Sequence, residues 1–343
     1  MQAVRKEFII CWVSPLIVIW SRSLGEAIAM FFSAPPPLKE CFSGRVAVSP
    51  GIWGDGSAGK INPKTGNFEK NPNYTWKDFA PLLKKQGYDT IISVDYSAEN
   101  ANSFDDPEIM EKVRIAILEA IDTIRSNNLA GRKVDIVAHS MGGLVVRSFC
   151  EKEKEFCKES IRKLITIDTP HQGSELADLL LIYRDQRDKF PLASTCRIRL
   201  DKFIKGDDDL SIDPHPIDKG AVDAMAVGNP QVGILESADP LPVGKWNVLP
   251  WPASPTTVRR IAGNATNYQD ADILAVWDKA LSPCGFDRTR VFSGEGGDDG
   301  IVGVLSQMGG VSGRVFDEDH FSVLGDEEVA KEIGKMLNEE KAK

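Results

Sequence analysis

KVDIVAHSMGGLVVRSF, residues 133–149, is the stretch whose reading decides the fold. A short apolar strand is expected to run into Ala138-His139-Ser140-Met141-Gly142-Gly143, with a helix beginning immediately afterwards. A serine held on a sharp strand-to-helix turn leaves almost no room for side chains two positions before and two after it. Ala138 and Gly142 meet that demand, and Gly143 lets the helix pack close to the strand. Such a turn presents Ser140 as a nucleophile and aims the free N–H groups of the helix start at the reacting oxygen.

On either side of this turn, short β-branched runs alternate with helical periods. Strands are predicted at 45–49 (RVAVS), 90–96 (TIISVDY), 133–138, 163–168 (KLITID), 257–263 (TVRRIAG) and 289–293 (TRVFS). A helix is predicted between the second and third. Asp106 caps it, Pro107 suits its first turn, and Met110, Val113, Ile117, Ile121 and Ile124 repeat at helical spacing. Strand–helix alternation of this kind implies an α/β fold with a mostly parallel sheet covered on both faces. Residues 175–256 break the rhythm with Asp207-Asp208-Asp209, DPHP at 213–216 and the Pro- and Trp-rich 240–255. That length exceeds a simple connection, so the segment is expected to be a cap or lid inserted into the domain. The closing stretch 326–338 reads as an amphipathic surface helix.

A serine hydroxyl attacks poorly until a neutral imidazole takes its proton, and a carboxylate must orient that imidazole. The chain has four histidines: His139, His171, His215 and His320. His139 directly precedes the nucleophile, where its ring does not easily reach Ser140, and His215 lies in the acidic insertion. His320, in DEDHFSVLGDEEV near the C-terminus, stands where a Ser–acid–His chain order requires the base. For the acid, GEGGDDGIVGVLSQMGG (294–310) supplies Asp298 and Asp299. One oxyanion donor is expected to be the N–H of Met141, directly after the nucleophile. The loop after the first strand, Pro50-Gly51-Ile52, supplies the other, by position the N–H of Ile52.

AHSMGG together with TIDTPHQGS at 166–174 resembles the lipase and esterase branch of the α/β-hydrolase fold. Within it, the chain is similar to AHSMGG-type bacterial lipases and to GPI inositol-deacylase-like and lecithin–cholesterol acyltransferase-like hydrolases. The resemblance covers roughly residues 44–174 and 257–325, whereas the insertion resembles no named module. It implies a structural role for His171 and a late-loop base at His320. It also implies Asp299 as the acid, because Asp299-Gly300-Ile301-Val302 followed by Ser306-Gln307 matches the relatives' pattern. Asp298 is the alternative if the register slips, and a calcium ligand is the competing role for this pair, which two adjacent aspartates alone do not establish. No cofactor is implied otherwise. The activity implied is serine hydrolysis of carboxylic esters, with lipid-like acyl esters favoured by Trp246 and Trp251 in the insertion. The alternative is an acyltransferase that uses the same three residues with an alcohol acceptor. The partner implied is an acyl-ester or lipid substrate, with transient lipid-surface contact through the cap.

The N-terminus differs from the rest. Arg5 and Lys6 precede a thirteen-residue apolar run, Phe8 to Trp20, and Ala27-Ile28-Ala29 offers small residues where a signal peptidase reads. Together these read as a secretory signal peptide over 1–29, implying a secreted or periplasmic protein. The run is shorter than the roughly twenty residues of a membrane span. Residues 30–43, with Pro35-Pro36-Pro37, read as a stiff linker into a hydrolase domain over 44–343. Cys41, Cys150, Cys157, Cys196 and Cys284 then remain. Cys150 and Cys157 can pair only if the helix between them ends, because a continuous helix holds positions seven apart at about 10 Å. Forty-one Lys and Arg against fifty Asp and Glu give a charge of −9, which opposes general nucleic-acid binding.

Overall fold

A computed structural model describes residues 45–52, 54–57, 59–61, 68–70, 74–88, 90–126, 133–185, 194–205, 216–232, 257–265, 281–282, 288–292, 296–309 and 313–338. The segments 1–29 and 30–43, read as a signal peptide and a linker, the acidic run at 207–209, His215, Trp246, Trp251, Cys41, Cys284 and the side chain of Cys196 lie outside these residues.

Six strands form one sheet: β1 (Arg45–Ser49), β4 (Thr90–Ser93), β5 (Val134–His139), β6 (Ile161–Ile167), β7 (Thr257–Gly263) and β8 (Arg314–Phe316). Their order is β4-β1-β5-β6-β7-β8, and every pairing is parallel. A separate antiparallel pair joins β2 (Gly59–Ile61) to β3 (Phe68–Lys70). The elbow strand β5 is therefore central, flanked by β1 on one side and β6 on the other. Alternate side chains of the central strands enter opposite layers. Ala47, Ile136, Ala138 and Leu164 face the layer built by α2 (Pro107–Ser126) and α3 (Met141–Lys152). Val46, Val48, Val137 and Ile165 face the layer of Trp76, Phe79, Val329, Ile333 and Leu337. Two apolar faces on one strand explain why these segments read as continuous apolar runs.

The helix expected after Asp106 forms over Pro107–Ser126. Asp106 Oδ1 accepts the N–H of Glu108 at 2.8 Å, which relieves one of the orphan donors of the first turn. Ile109, Val113, Ile117 and Ile121 are buried against the sheet. Each such side chain contributes about 1.5–3 kcal/mol, far more than an exposed pair such as Arg125–Asp122, which is worth a few tenths of a kcal/mol. Packing, not surface charge, places this helix. Among the described residues no helix is long and apolar enough to cross a membrane.

Two expectations need correction or extension. TRVFS was predicted as a strand, but Arg288–Val291 is a short helix. The sixth strand is instead Arg314–Phe316, which pairs with Ile261–Gly263 of β7. β-propensity records fit to a partly buried pleated surface. The pentapeptide does not reach the edge of β7, and Arg288 is tied by its guanidinium to the carbonyl of Ala265 and the carboxylate of Asp298. The described part of the insertion, including α5 (Glu175–Asp185) and a one-turn helix Ala221–Ala224, packs Leu176, Leu180, Tyr183, Val222 and Met225 into the same core as α2 and α3.

Helix α3 ends at Lys152, and the next helix, Lys154–Ser160, starts after the extended turn at Glu153. The break brings the Cα atoms of Cys150 and Cys157 to 5.5 Å, and the two are bridged. This meets the condition set by the spacing. A closed loop of this length is worth about 2.5 kcal/mol. The double variant Cys150→Ala/Cys157→Ala is therefore expected to melt roughly 5 °C below the oxidised protein. Equal midpoints in calorimetry would show that the bridge does not stabilise the fold.

Candidate active site

The site forms where the C-terminal ends of β1, β5, β6 and β7 converge. Ser140 follows β5 with φ 54° and ψ −134°, a conformation rare for a residue with a side chain. Such a conformation carries about 1–3 kcal/mol of strain that the surroundings must hold. They hold it by backbone contacts: the Ser140 N–H donates to the Ile167 carbonyl at 2.9 Å, and the Gly143 N–H donates to the Ser140 carbonyl at 3.1 Å. The small residues at 142 and 143 are needed as expected, although what crowds them comes from neighbouring segments. A Cβ on Gly142 would lie 2.4 Å from the carbonyl oxygens of Ser49 and Pro50, and one on Gly143 would lie 2.2 Å from Thr169 Oγ1.

The loop after β1 closes on Ser140 from the other side. A Cβ on Gly51 would come within 2.6 Å of Ser140 Cβ, so only glycine permits this approach. Ile52 lies in the turn closed by the Gly54 N–H to the Gly51 carbonyl at 3.2 Å. Met141 begins α3, and helix geometry leaves its N–H without an intrahelical acceptor. Tyr96, read in the sequence only as the end of the 90–96 strand, lies beyond β4, donates its hydroxyl proton to the Pro50 carbonyl and so pins this loop. Burial pushes the Tyr96 phenol far up, which keeps it a donor. An isolated tyrosine three residues beyond the end of β4 bears no motif that would have marked it.

His320 and Asp299 meet although they enter from different loops. His320 Nδ1 lies 2.6 Å from Asp299 Oδ2, and both side chains are buried. Asp299 Oδ1 accepts the N–H groups of Ile301 and Val302 at 2.8 and 2.7 Å, and the His320 N–H donates to the Asp299 carbonyl at 3.0 Å. The tight Asp-Gly-Ile-Val turn thus fixes one carboxylate oxygen by its own N–H groups and leaves the other for the imidazole. Ser306-Gln307, part of the same pattern, braces it. Gln307 donates to the carbonyls of Gly263 and Val302 and accepts the Gly263 N–H. Ser306 donates to the Gly173 carbonyl at 2.5 Å and accepts the Gln172 N–H, tying the acid loop to the TPHQGS segment.

Asp298, the alternative acid, turns the other way. Both its carboxylate oxygens lie 2.9 Å from Arg288 Nε, so a guanidinium already stands where a calcium ion would compete. Asp319 Oδ1 instead accepts the N–H groups of Phe321 and Ser322.

The remaining described histidines are structural neighbours. His171 is buried; Arg147 donates to its Nδ1 at 2.6 Å, and its Nε2 lies 3.1 Å from Thr166 Oγ1. Burial, then the charges of Arg260 and Arg147, push its pKa well down, so it stays neutral. His139 is closer to the site than its elbow position suggests. Its ring lies 4.8 Å from that of His320, and its Nε2 is 2.7 Å from the His320 carbonyl. A carbonyl only accepts, so Nε2 carries the proton and Nδ1 is bare. Burial and the neighbouring His320 hold His139 well below the usual histidine pKa. Ring nitrogens of His139 and His320 and an oxygen of Asp168 lie within 4.8 Å of one another, the one such group among the described residues. His139 Nε2 and His320 Nδ1 are engaged in hydrogen bonds, whereas His139 Nδ1 and Asp168 Oδ2 are buried without a hydrogen-bond partner.

Comparison with known proteins gives three findings. Residues 90–190, which include the elbow and TPHQGS, match the family described as a PGAP1-like alpha/beta domain. Phospholipase A(1) LCAT3 of Arabidopsis thaliana is 31% identical over 104 residues, 29% of this chain and 22% of that protein. The match thus spans about a fifth of that relative's length. The mature lipase BlEst2 of Bacillus licheniformis superposes with a TM-score of 0.51 at 17% identity, covering 90% of this chain and 96% of that one. The fold of this chain is that of the α/β-hydrolase lipases.

Proposed function

We propose that the chain is a serine hydrolase of carboxylic esters, acting on lipid-like acyl esters through an acyl-enzyme on Ser140. The observation that carries the reading is the buried His320–Asp299 pair at 2.6 Å, built at the same C-terminal end of the sheet as a serine on a strained elbow. In this reading Asp299 orients His320 through Nδ1, leaving Nε2 to take the Ser140 proton as Oγ attacks the ester carbonyl. The N–H groups of Met141 and Ile52 receive the negative charge that develops on the carbonyl oxygen. His320 then gives its proton to the leaving alcohol. Water, deprotonated in turn by His320, releases the acid and frees Ser140.

Support for a lipid ester comes from the lipase fold and from the local similarity to a protein named as a phospholipase A(1). The test is turnover of p-nitrophenyl esters from acetate to palmitate, presented in mixed micelles. We expect kcat/KM to rise from acetate toward acyl chains of eight carbons or more. Hydrolysis of none of them would overturn the ester-hydrolase reading, and a preference for acetate would overturn the lipid preference. Adding a long-chain alcohol separates the acyltransferase alternative, since that enzyme would divert most acyl groups into the new ester.

A further inference from the structure

Asp168 follows β6 at the edge of the site and has no place in the mechanism above. It is fully buried and adopts φ 51°, one of two described non-glycine residues with positive φ, Ser140 being the other. Its Oδ1 accepts the Gly263 N–H at 2.6 Å, while its Oδ2 is buried without a hydrogen-bond partner. Gly263 has no side chain to separate the two carboxyls. A Cβ there would lie 3.1 Å from both Asp168 Oδ2 and Asp299 Cβ. An oxygen of Asp168 lies within 4.8 Å of a ring nitrogen of His320 and of His139. A shift of about 2 Å would bring it to hydrogen-bond length.

We propose that Asp168 is a second carboxyl for His320, a positioning residue able to orient the imidazole in place of Asp299. The proposal rests on the serine-hydrolase reading of the same site. The environments of the two carboxyls differ in the way that separates their roles. Asp299 receives three N–H donors, two from the backbone and one from His320. Asp168 receives one, faces Asp299, Asp319, Glu318, His139 and His320, and is held well above the usual carboxyl range by burial and then by Asp299. In the resting enzyme it carries its proton. Once the charge of Asp299 is removed, the largest like-charge repulsion disappears while burial remains, so Asp168 releases its proton to solvent more readily as pH rises. The resulting carboxylate accepts the His320 ring N–H and offsets the imidazolium formed when Ser140 is deprotonated.

The test compares wild type, Asp299→Asn, Asp168→Asn and the double variant, reading kcat/KM for a p-nitrophenyl ester across pH 5–9. Asparagine tolerates the left-handed backbone at 168 and keeps an oxygen for the Gly263 N–H, and thermal midpoints check folding. Removing a sole triad acid lowers turnover by roughly 10⁴-fold. Every variant keeps the rise with pH that a histidine base imposes, so the readout is what is added to it. Here Asp299→Asn is expected to fall only about 10²-fold, and its profile gains a second one-proton rise that wild type lacks. The double variant should fall about a further 10²-fold and lose that second rise. A role confined to holding the Gly263 N–H would not produce it. If Asp299→Asn and the double variant are equally inactive with the same profile as each other, the proposal is overturned. If wild type is not labelled at Ser140 by a fluorophosphonate, the serine-hydrolase reading itself has failed; labelling with no contrast between the variants removes only the role of Asp168.

Discussion

Ser140→Ala is expected to abolish ester hydrolysis, lowering kcat by roughly 10⁵–10⁶-fold, the scale on which loss of a triad nucleophile is measured. The residue sits at φ 54°, held by the Ile167 carbonyl and by the close approach of Gly51. Alanine preserves those backbone contacts, so the fold should survive and the loss should be chemical. A fluorophosphonate probe should label the wild-type protein at Ser140 and leave the variant unlabelled in mass spectrometry of the digest. Unchanged hydrolysis in the folded variant would sink the assignment of the nucleophile.

The second large effect belongs to His320. Its Nδ1 is committed to Asp299 and its backbone to His139 and Asp299, so Nε2 is the atom left for proton transfer. His320→Ala would strand the buried Asp299 carboxylate, a loss of several kcal/mol when one partner of a buried pair is removed. His320→Asn is the cleaner variant, because its amide N–H can still donate to Asp299 Oδ2 while no base remains. Hydrolysis is expected to fall by roughly 10⁵-fold, close to the effect of removing the serine, because the two act as one unit. His215→Ala should retain wild-type turnover. An active His320→Asn, or an inactive His215→Ala, would move the base elsewhere in the chain.

Much of the fold was legible because its signals are local. RVAVS and TVRRIAG form strands over the expected residues, and the helix at 107–126 carries its cap, its first-turn proline and its apolar stripe within twenty residues. TRVFS shows the limit. Its β-branched and aromatic residues look like a strand, yet strand formation needs an open neighbour, and RVF at 314–316 takes the edge of β7. Cysteine spacing behaved similarly: seven residues apart in a helical-looking stretch could not settle a bridge until the break at Glu153 appeared.

By itself the sequence marked the elbow, through the small residues Ala138, Gly142 and Gly143 around Ser140. The 2.2–2.4 Å approaches that added Cβ atoms at the two glycines would make are to Ser49, Pro50 and Thr169, which come near only once the strands are assembled. Which of two adjacent aspartates meets His320 was left open by the residues themselves, with Asp299 favoured only by the resemblance, and the tertiary structure shows the physical reason. Asp298 and Asp299 differ by one position, and only the turn of the chain sends one toward Arg288 and the other toward the imidazole. The same holds for Tyr96 on the Pro50 carbonyl, His139 on the His320 carbonyl and Asp168 beside Asp299. These contacts join residues 46 to 181 positions apart. Their strength comes from burial and mutual orientation, which exist only after the sheet has assembled.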